Sequence, residues 1–343
     1  MNWLLLFEFL YIIVLIVVIL RVLYDTRSGV KALAYILFIV FVPFIGMFFY
    51  FSFGVNYRKR KLYSKKIVHD EELRQEIRNR MFAYSDKVLN SGLLAEKHFN
   101  LEEFVRRSAS SPLTANNSVK LLLNGEEKFP EVLKALEAAQ HHIHLEYYIY
   151  EDDATGKSVA DMLVKKAKEG VEVRFMYDDF GSYALGKTFI KKLQEAGVQT
   201  APFYKIKLLA IASRLNYRNH RKIIVIDGKT SFVGGINMSD RYRNDDLAKT
   251  DLYWRDTHLK LEGTATAYLQ YLFLCDWNFA SKNALIYNEF YFPAPSPTIA
   301  VGKEIVQLVP SGPDSDLPVI FYSLLAAIGA AKKKILITTP YFI

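Results

Sequence analysis

Seven histidines are present, and His220 has the most distinctive setting. It lies in Asn219-His220-Arg221-Lys222, followed by four apolar residues, Asp227-Gly228, and then Gly234-Gly235-Ile236-Asn237. On a strand, residues i and i+2 share a face, so His220 and Lys222 point the same way. An imidazole beside an ammonium suits a phosphate. Lysine gives charge-assisted hydrogen bonds to non-bridging oxygens, and histidine can attack phosphorus or move a proton near neutral pH. Asp227 has the opposite parity and sits in a turn, so it is expected to shape the hairpin or support the site from behind. Gly234 and Gly235 would let backbone approach closely, and Asn237 can donate an amide hydrogen bond to the same phosphate. A lone His-x-Lys carries little weight; the full string H-x-K-x4-D-x6-G-G-x-N is far more specific.

Other polar residues receive plainer readings. His142, His144 and Glu146 fall on one face of a strand, where solvated strand-end histidines are expected, with Glu146 a possible orienting group. His258 is expected to hydrogen-bond within the sheet. Asp178 and Asp179 end a strand, where α/β sheets place functional loops, though a solvated turn fits as well. The single cysteine, Cys275, excludes a disulfide framework and reads as buried and apolar. No compact metal-ligand constellation stands out, so no metal and no cofactor is expected.

The elements that must hold these residues alternate. SVKLLL reads as a strand, FPEVLKALEAAQ as a helix with Pro130 near its start, and HIHLEYYIY as a strand. SVADMLVKKAKEG reads as a helix closed by Gly170, and VEVRFMYDD as another strand. RKIIVIDGKTSFVGG is a hairpin across Asp-Gly. This order implies an α/β domain with a largely parallel sheet. SASSPLTANNS reads as a loop and a boundary. An internal echo follows: VKLLLNG, a helix and IHLEYYI are answered by VQLVPSG, a helix and ILITTPYFI. The expected organisation is a membrane hairpin over 1–56, a basic juxtamembrane segment and helical linker over 57–117, a first domain over 118–300, and the start of a second copy over 301–343.

With 343 residues and 51% hydrophobic content, disorder is excluded. Trp3–Leu23 is almost wholly apolar and Ala32–Phe53 carries no charge; each is long enough to span a bilayer. MNWLLLFEFL lacks the basic start of a secretory signal. The loop between the two segments holds Arg21, Arg27 and Lys31; the far flank holds Arg58, Lys59, Arg60, Lys61, Lys65 and Lys66. The larger cluster is expected on the cytoplasmic side, against anionic headgroups. The net charge is +8, but residues 1–66 hold nine of the basic residues and only two acids, which leaves the rest nearly neutral. The charge therefore argues for a membrane surface and not for nucleic acid.

The His220 string resembles the HKD motif of the phospholipase D superfamily. RNHRKIIVIDG, GGINMSD, WRDTH, LCDWNFA, IHLEYYIYEDDATG, YDDFGS and the membrane-hairpin runs RVLYDTRSGVKALAYILF and FVPFIGMFFYFSFG make the whole chain resemble bacterial cardiolipin synthases. The resemblance implies a phospholipase D-like α/β fold with two HKD motifs facing each other across a pseudo-two-fold. It implies that one histidine attacks phosphatidylglycerol to give a phosphatidyl-histidine while the other protonates the departing glycerol. A second phosphatidylglycerol then completes cardiolipin. Carried over, His220 is the nucleophile, Lys222 and Asn237 bind phosphate, and Asp227 is the supporting carboxylate. The position after Gly234 is often serine in the superfamily and is Gly235 here. No second H-x-K-x4-D occurs; by the repeat offset it would fall near ~412, so the chain is expected to be truncated before it. The implied partners are phosphatidylglycerol and other anionic phospholipids, at a multi-pass position in the bacterial inner membrane with the catalytic domain cytoplasmic. A homodimer would restore the second histidine by symmetry, which leaves open a single-motif phosphodiesterase; an inactive half-site is the other alternative.

Overall fold

A computed structural model describes residues 3–26, 29–51, 75–77, 79–94, 98–203, 205, 218–245, 253–281, 285, 288–293, 301–312 and 317–339. The basic cluster at 58–66 and Arg27 lie outside the described residues. The chain divides into two units, one containing residues 1–65 and the other residues 66–205 and 218–343.

In the first unit α1 spans Trp3–Asp25. Its Leu5–Asp25 stretch is long and apolar enough to cross a membrane, about 30 Å at 1.5 Å per residue. The second apolar segment is not the single continuous span expected over Ala32–Phe53. It forms α2, Gly29–Phe41, and α3, Pro43–Phe49. Pro43 opens α3 at its first position, after Val42 leaves helical geometry at φ −136 and ψ 71. The ring of proline cannot continue a helix but fits its first turn. A Cβ on Gly46 would lie 2.6 Å from the Phe38 carbonyl oxygen and 2.7 Å from Ile39 Cα. Backbone therefore meets backbone where α3 folds back on α2, and the Tyr35 and Tyr50 rings pack 5.5 Å apart.

Among the described residues, the second unit is built on one eight-stranded sheet. Its strands are β1 (Thr114–Leu123), β2 (His142–Tyr147), β3 (Glu172–Asp178), β4 (Gln199–Phe203), β5 (Lys222–Ile226), β6 (Thr230–Gly234), β7 (Thr257–Glu262) and β8 (Glu304–Val306). Their order is β4-β3-β2-β5-β6-β7-β1-β8. Only β2–β3 and β3–β4 are parallel; every other pairing is antiparallel. The sheet is thus mixed, not largely parallel. Helical crossovers α7 (Ala154–Lys168) and α8 (Lys187–Glu195) produce the parallel pairs, whereas the Asp227-Gly228 hairpin turns the chain back on itself. Both turn residues have positive φ, +53 and +63, the geometry of a type I′ hairpin.

The linker expected over 57–117 contributes α4 (residues 79–90) and α5 (Phe99–Ala109). The expected loop run is only partly a loop, because β1 starts at Thr114 within it. The Leu113 N–H donates to Ser85 Oγ at 2.9 Å, which docks α4 on that strand. Helix α6 (Asn124–Glu137) starts earlier than expected and places Pro130 in its interior. Together with α7 and α8, α6 covers one face of the sheet over Leu145, Phe175, Ile224 and Phe232. The other face carries Ile223, Val225 and Leu261, packed against α9 (Ala265–Ala280) through Leu269 and Leu272. Helix α10 spans Val319–Ala330. The strand expected at ILITTPYFI does not form among the described residues, which run through 334–339 with no ladder partner.

Candidate active site

Lys222 opens β5 at the centre of the sheet, opposite Tyr147 of β2. The β5–β6 register brings Gly234 beside it, and Gly234 in turn faces His258 of β7. These residues form one row on the face beneath α6. A Cβ on Gly234 would lie 2.6 Å from both His258 Cα and His258 Nδ1, so the glycine makes room for an imidazole. One on Gly235 would strike Asp256 Oδ1 at 2.1 Å. Both glycines therefore allow close approach of β7, not of a ligand, and a serine at position 235 would displace the Asp256 carboxylate.

The His220 and Lys222 side chains meet as the spacing predicts. Lys222 Nζ lies 3.0 Å from His220 Nδ1 and donates to the His220 carbonyl at 3.0 Å. The Tyr148 ring stands 4.3 Å from the His220 ring and 5.5 Å from Lys222 Nζ. Lys222 is buried, and burial lowers its pKa from the ordinary 10.5 to about 8, against the opposing pull of Asp256. His220 is exposed, in the segment that leads into β5. Partial burial of its ring and the Lys222 charge lower its pKa, so the imidazole is neutral at neutral pH. A neutral, reachable imidazole with an ammonium in contact can attack a phosphodiester while the ammonium neutralises a non-bridging oxygen.

The loop carrying His220 is tied down by buried carboxyl groups. Asp178, at the end of β3, accepts from the backbone N–H groups of Phe180, Gly181 and Asn219 at 3.0, 2.9 and 3.2 Å. It also faces Arg218 Nη1 at 3.5 Å. It is an anchor and not a solvated turn. Asn219 Nδ2 donates to Glu146 Oε1 and, at 3.3 Å, to Asp276 Oδ2, and Arg221 pairs with Asp276. His142 and His144 are buried rather than solvated. His142 Nε2 lies 3.1 Å from Gln270 Oε1, and His144 Nδ1 lies 2.8 Å from Gln270 Nε2. Desolvation drives the His144 pKa to about 3 and keeps its ring neutral.

Asp227 is not brought to His220, and the amide of Asn237 is engaged elsewhere. Asp227 lies at the far end of β5, where its carboxylate accepts from the N–H groups of Gln140, His141 and His142 at 2.9, 2.8 and 2.9 Å. Burial works to raise its pKa, and these three bonds outweigh that and lower it. It caps the start of β2, as its parity and turn position suggest, and touches no reacting group. Asn237 is buried; its Oδ1 accepts from the Ile149 N–H at 3.3 Å and its Nδ2 donates to Tyr242 Oη. Its amide braces the loop after β6.

Lys128 and His258 extend the basic cluster beyond the motif. Lys128 Nζ, fully buried, donates to the carbonyls of Ile236 and Asn237 at 2.8 and 3.2 Å and sits 4.7 Å from the centre of the Tyr147 ring. Burial first, then Lys222, pushes its pKa well down. His258 is buried with neither ring nitrogen hydrogen-bonded among the described residues, contrary to the bonded role expected for it. Burial, then Lys128 and Lys222, keep it neutral. Lys128 had a legible signal: it falls at four-residue spacing with Val132 and Leu136, on the stripe of α6 that faces the core.

A family model described as cardiolipin synthase, PLD-like domain matches residues 132–249, and one described as phospholipase D-nuclease N-terminal matches residues 9–54. The cardiolipin synthase of Alkalihalophilus pseudofirmus is 39% identical over 325 residues, 94% of this chain and 63% of that protein. Cardiolipin synthase 1 of Bacillus cereus is 40% identical, covering 93% of this chain and 62% of that protein. The major cardiolipin synthase ClsA of Bacillus subtilis is 40% identical over 352 residues, 98% of this chain and 69% of that protein. The chain thus spans about two thirds or less of the length of these relatives. Among solved structures, Nuc from Salmonella typhimurium aligns with a TM-score of 0.38 at 18% identity, over 49% of this chain and 99% of that one. The chain belongs to the cardiolipin synthase family of phospholipase D-like proteins.

Proposed function

We propose that this chain carries the phosphotransfer site of a membrane-bound cardiolipin synthase, with His220 as the nucleophile. The observation that carries the reading is the contact between Lys222 Nζ and a neutral His220 imidazole. His220 and a phosphate oxygen compete for the Lys222 ammonium, so donation to phosphate and release of the imidazole form one step. The imidazole then forms a P–N bond while the P–O bond to glycerol breaks, and the glycerol oxygen takes a proton from a general acid. The hydroxyl of a second phosphatidylglycerol attacks phosphorus, breaks the P–N bond and returns its proton.

Residues 301–343 fit the start of a second copy. In the β1–β8 pairing Asn117 faces Glu304, which the match of VKLLLNG with VQLVPSG makes its counterpart 187 residues on. The inner-membrane, multi-pass placement with this unit cytoplasmic rests on the basic cluster at 58–66. In intact cells an impermeant thiol reagent should label Ser64→Cys only after lysis.

The functional test uses the full-length protein in phosphatidylglycerol vesicles. Cardiolipin and glycerol should appear in equal amounts, and His220→Ala should abolish both and the covalent phospho-histidine. Phosphatidic acid in place of cardiolipin would point to the hydrolytic reading, and turnover by His220→Ala would refute the role of His220.

A further inference from the structure

Glu146 of β2 and Asp276 of α9 meet behind the His220 loop. Both are about 1% exposed. Glu146 Oε1 accepts from Asn219 Nδ2, whereas Glu146 Oε2 finds no N–H or O–H donor among the described residues. Asp276 lies within hydrogen-bonding reach of Glu146 and its Oδ2 receives Asn219 Nδ2 and Arg221. Two carboxylates cannot both be ionised in so dry a place, since each disfavours the charge of the other.

Charge balance around the pair leads to the same point. Arg221 supplies one positive charge to it. Arg218 is committed to Asp178, and His144, two residues back on the same face of β2, stays neutral. Among the described residues, one carboxylate against one guanidinium is balanced; two would leave a buried excess negative charge. A proton on Glu146 Oε2 also gives that orphan oxygen a bond to make, toward Asp276. Burial first, and Asp276 second, push the Glu146 pKa well up.

We propose that Glu146 and Asp276 hold one proton between them and, as that singly charged pair, act as positioning residues for His220. They grip both of its neighbours: Asn219 through its amide and Arg221 through its guanidinium. Asn219 Oδ1 in turn accepts from the Arg221 N–H at 3.0 Å, closing the loop around His220. The idea rests on His220 being the nucleophile, but its test has an arm that needs no turnover.

The full-length protein is measured as wild type, His220→Ala, Glu146→Gln and Asp276→Asn. Without substrate, the infrared spectrum of wild type should show the C=O stretch of a protonated, buried carboxyl, and Glu146→Gln should lack it. Glutamine reproduces the neutral member of the pair, with an NH2 to donate to Asp276 and an oxygen for Asn219, so Glu146→Gln should lose far less turnover than Asp276→Asn. Asp276→Asn should lose about 100-fold, the scale set by misplacing a reacting group by 1 Å. A merely structural role would not separate the two amide variants in this way. The absence of the carboxyl band in wild type, or its persistence in Glu146→Gln, overturns the proposal, as does equal loss of activity in both variants. Failure of the phosphotransfer reading would show separately, as turnover by His220→Ala.

Discussion

Replacing Lys222 by methionine should abolish turnover and yet raise thermal stability at pH 7. Its pKa falls from 10.5 to about 8 on folding, chiefly through burial, so keeping the ammonium charged inside the protein opposes folding by about 3 kcal/mol at 1.36 kcal/mol per unit. Methionine removes that penalty and fills similar volume. It also removes the bonds to His220 Nδ1 and O, a loss of about 2 kcal/mol at roughly 1 kcal/mol each. The balance is a gain of about 1 kcal/mol, or about 2–4 °C in Tm for a domain of this size. The sign with pH follows from proton counting. Unfolded Lys222 keeps its proton up to 10.5 and folded Lys222 releases it near 8, so wild-type stability rises between those values. The advantage of methionine should therefore shrink across that window, while wild-type kcat/KM falls above about pH 8 as Lys222 loses the charge that binds phosphate. Melting of the detergent-solubilised protein from pH 7 to 10, with turnover measured alongside, tests all of this. A variant that melts several degrees lower at pH 7, or a stability difference independent of pH, would refute the reasoning.

Gly234→Ala should destabilise the second unit by about 1–3 kcal/mol, the usual range for overpacking, because its Cβ meets the backbone of His258; an unchanged melting temperature would count against the tight β6–β7 approach. Asp227→Ala leaves three N–H groups without their acceptor, at about 1–3 kcal/mol for each that stays buried. It should lower Tm without altering KM, and a KM effect in folded protein would return Asp227 to the reacting centre. Because bonding lowers the folded pKa of Asp227, its contribution is present above the unfolded carboxylate pKa and fades as pH falls through the folded one; an acid-melting difference between wild type and Asp227→Asn measures it.

Local rules made part of this molecule legible. Asp-Gly specified the β5–β6 hairpin, Gly170 with φ +91 ends α7's run, and the two-residue spacing of His220 and Lys222 put their side chains in contact. What depended on distant partners was not legible. The burial of Asp178, Glu146 and His144 is decided by α9 and by Arg218, which no neighbouring residues announce. The roles of Gly234 and Gly235 depend on β7, more than 20 residues away in sequence, and without that strand they look like ligand-binding glycines. The apolar run Ala32–Phe53 met every hydropathy criterion for a span, but hydropathy does not register the break at Pro43 or the backbone contact that Gly46 permits.

The bonds that hold the His220 loop reach far along the chain: 41 residues to Asp178, 73 to Glu146 and 57 to Asp276. Each closes a long loop, whose entropy must be surrendered before the contact returns anything. The site therefore cannot assemble from a local hairpin early in folding; it forms when the sheet is nearly complete. The converse holds for the finished protein. Opening the loop at Asn219 breaks side-chain bonds to β2, β3 and α9 together, so its amide should exchange with solvent hydrogen more slowly than those of unanchored loops.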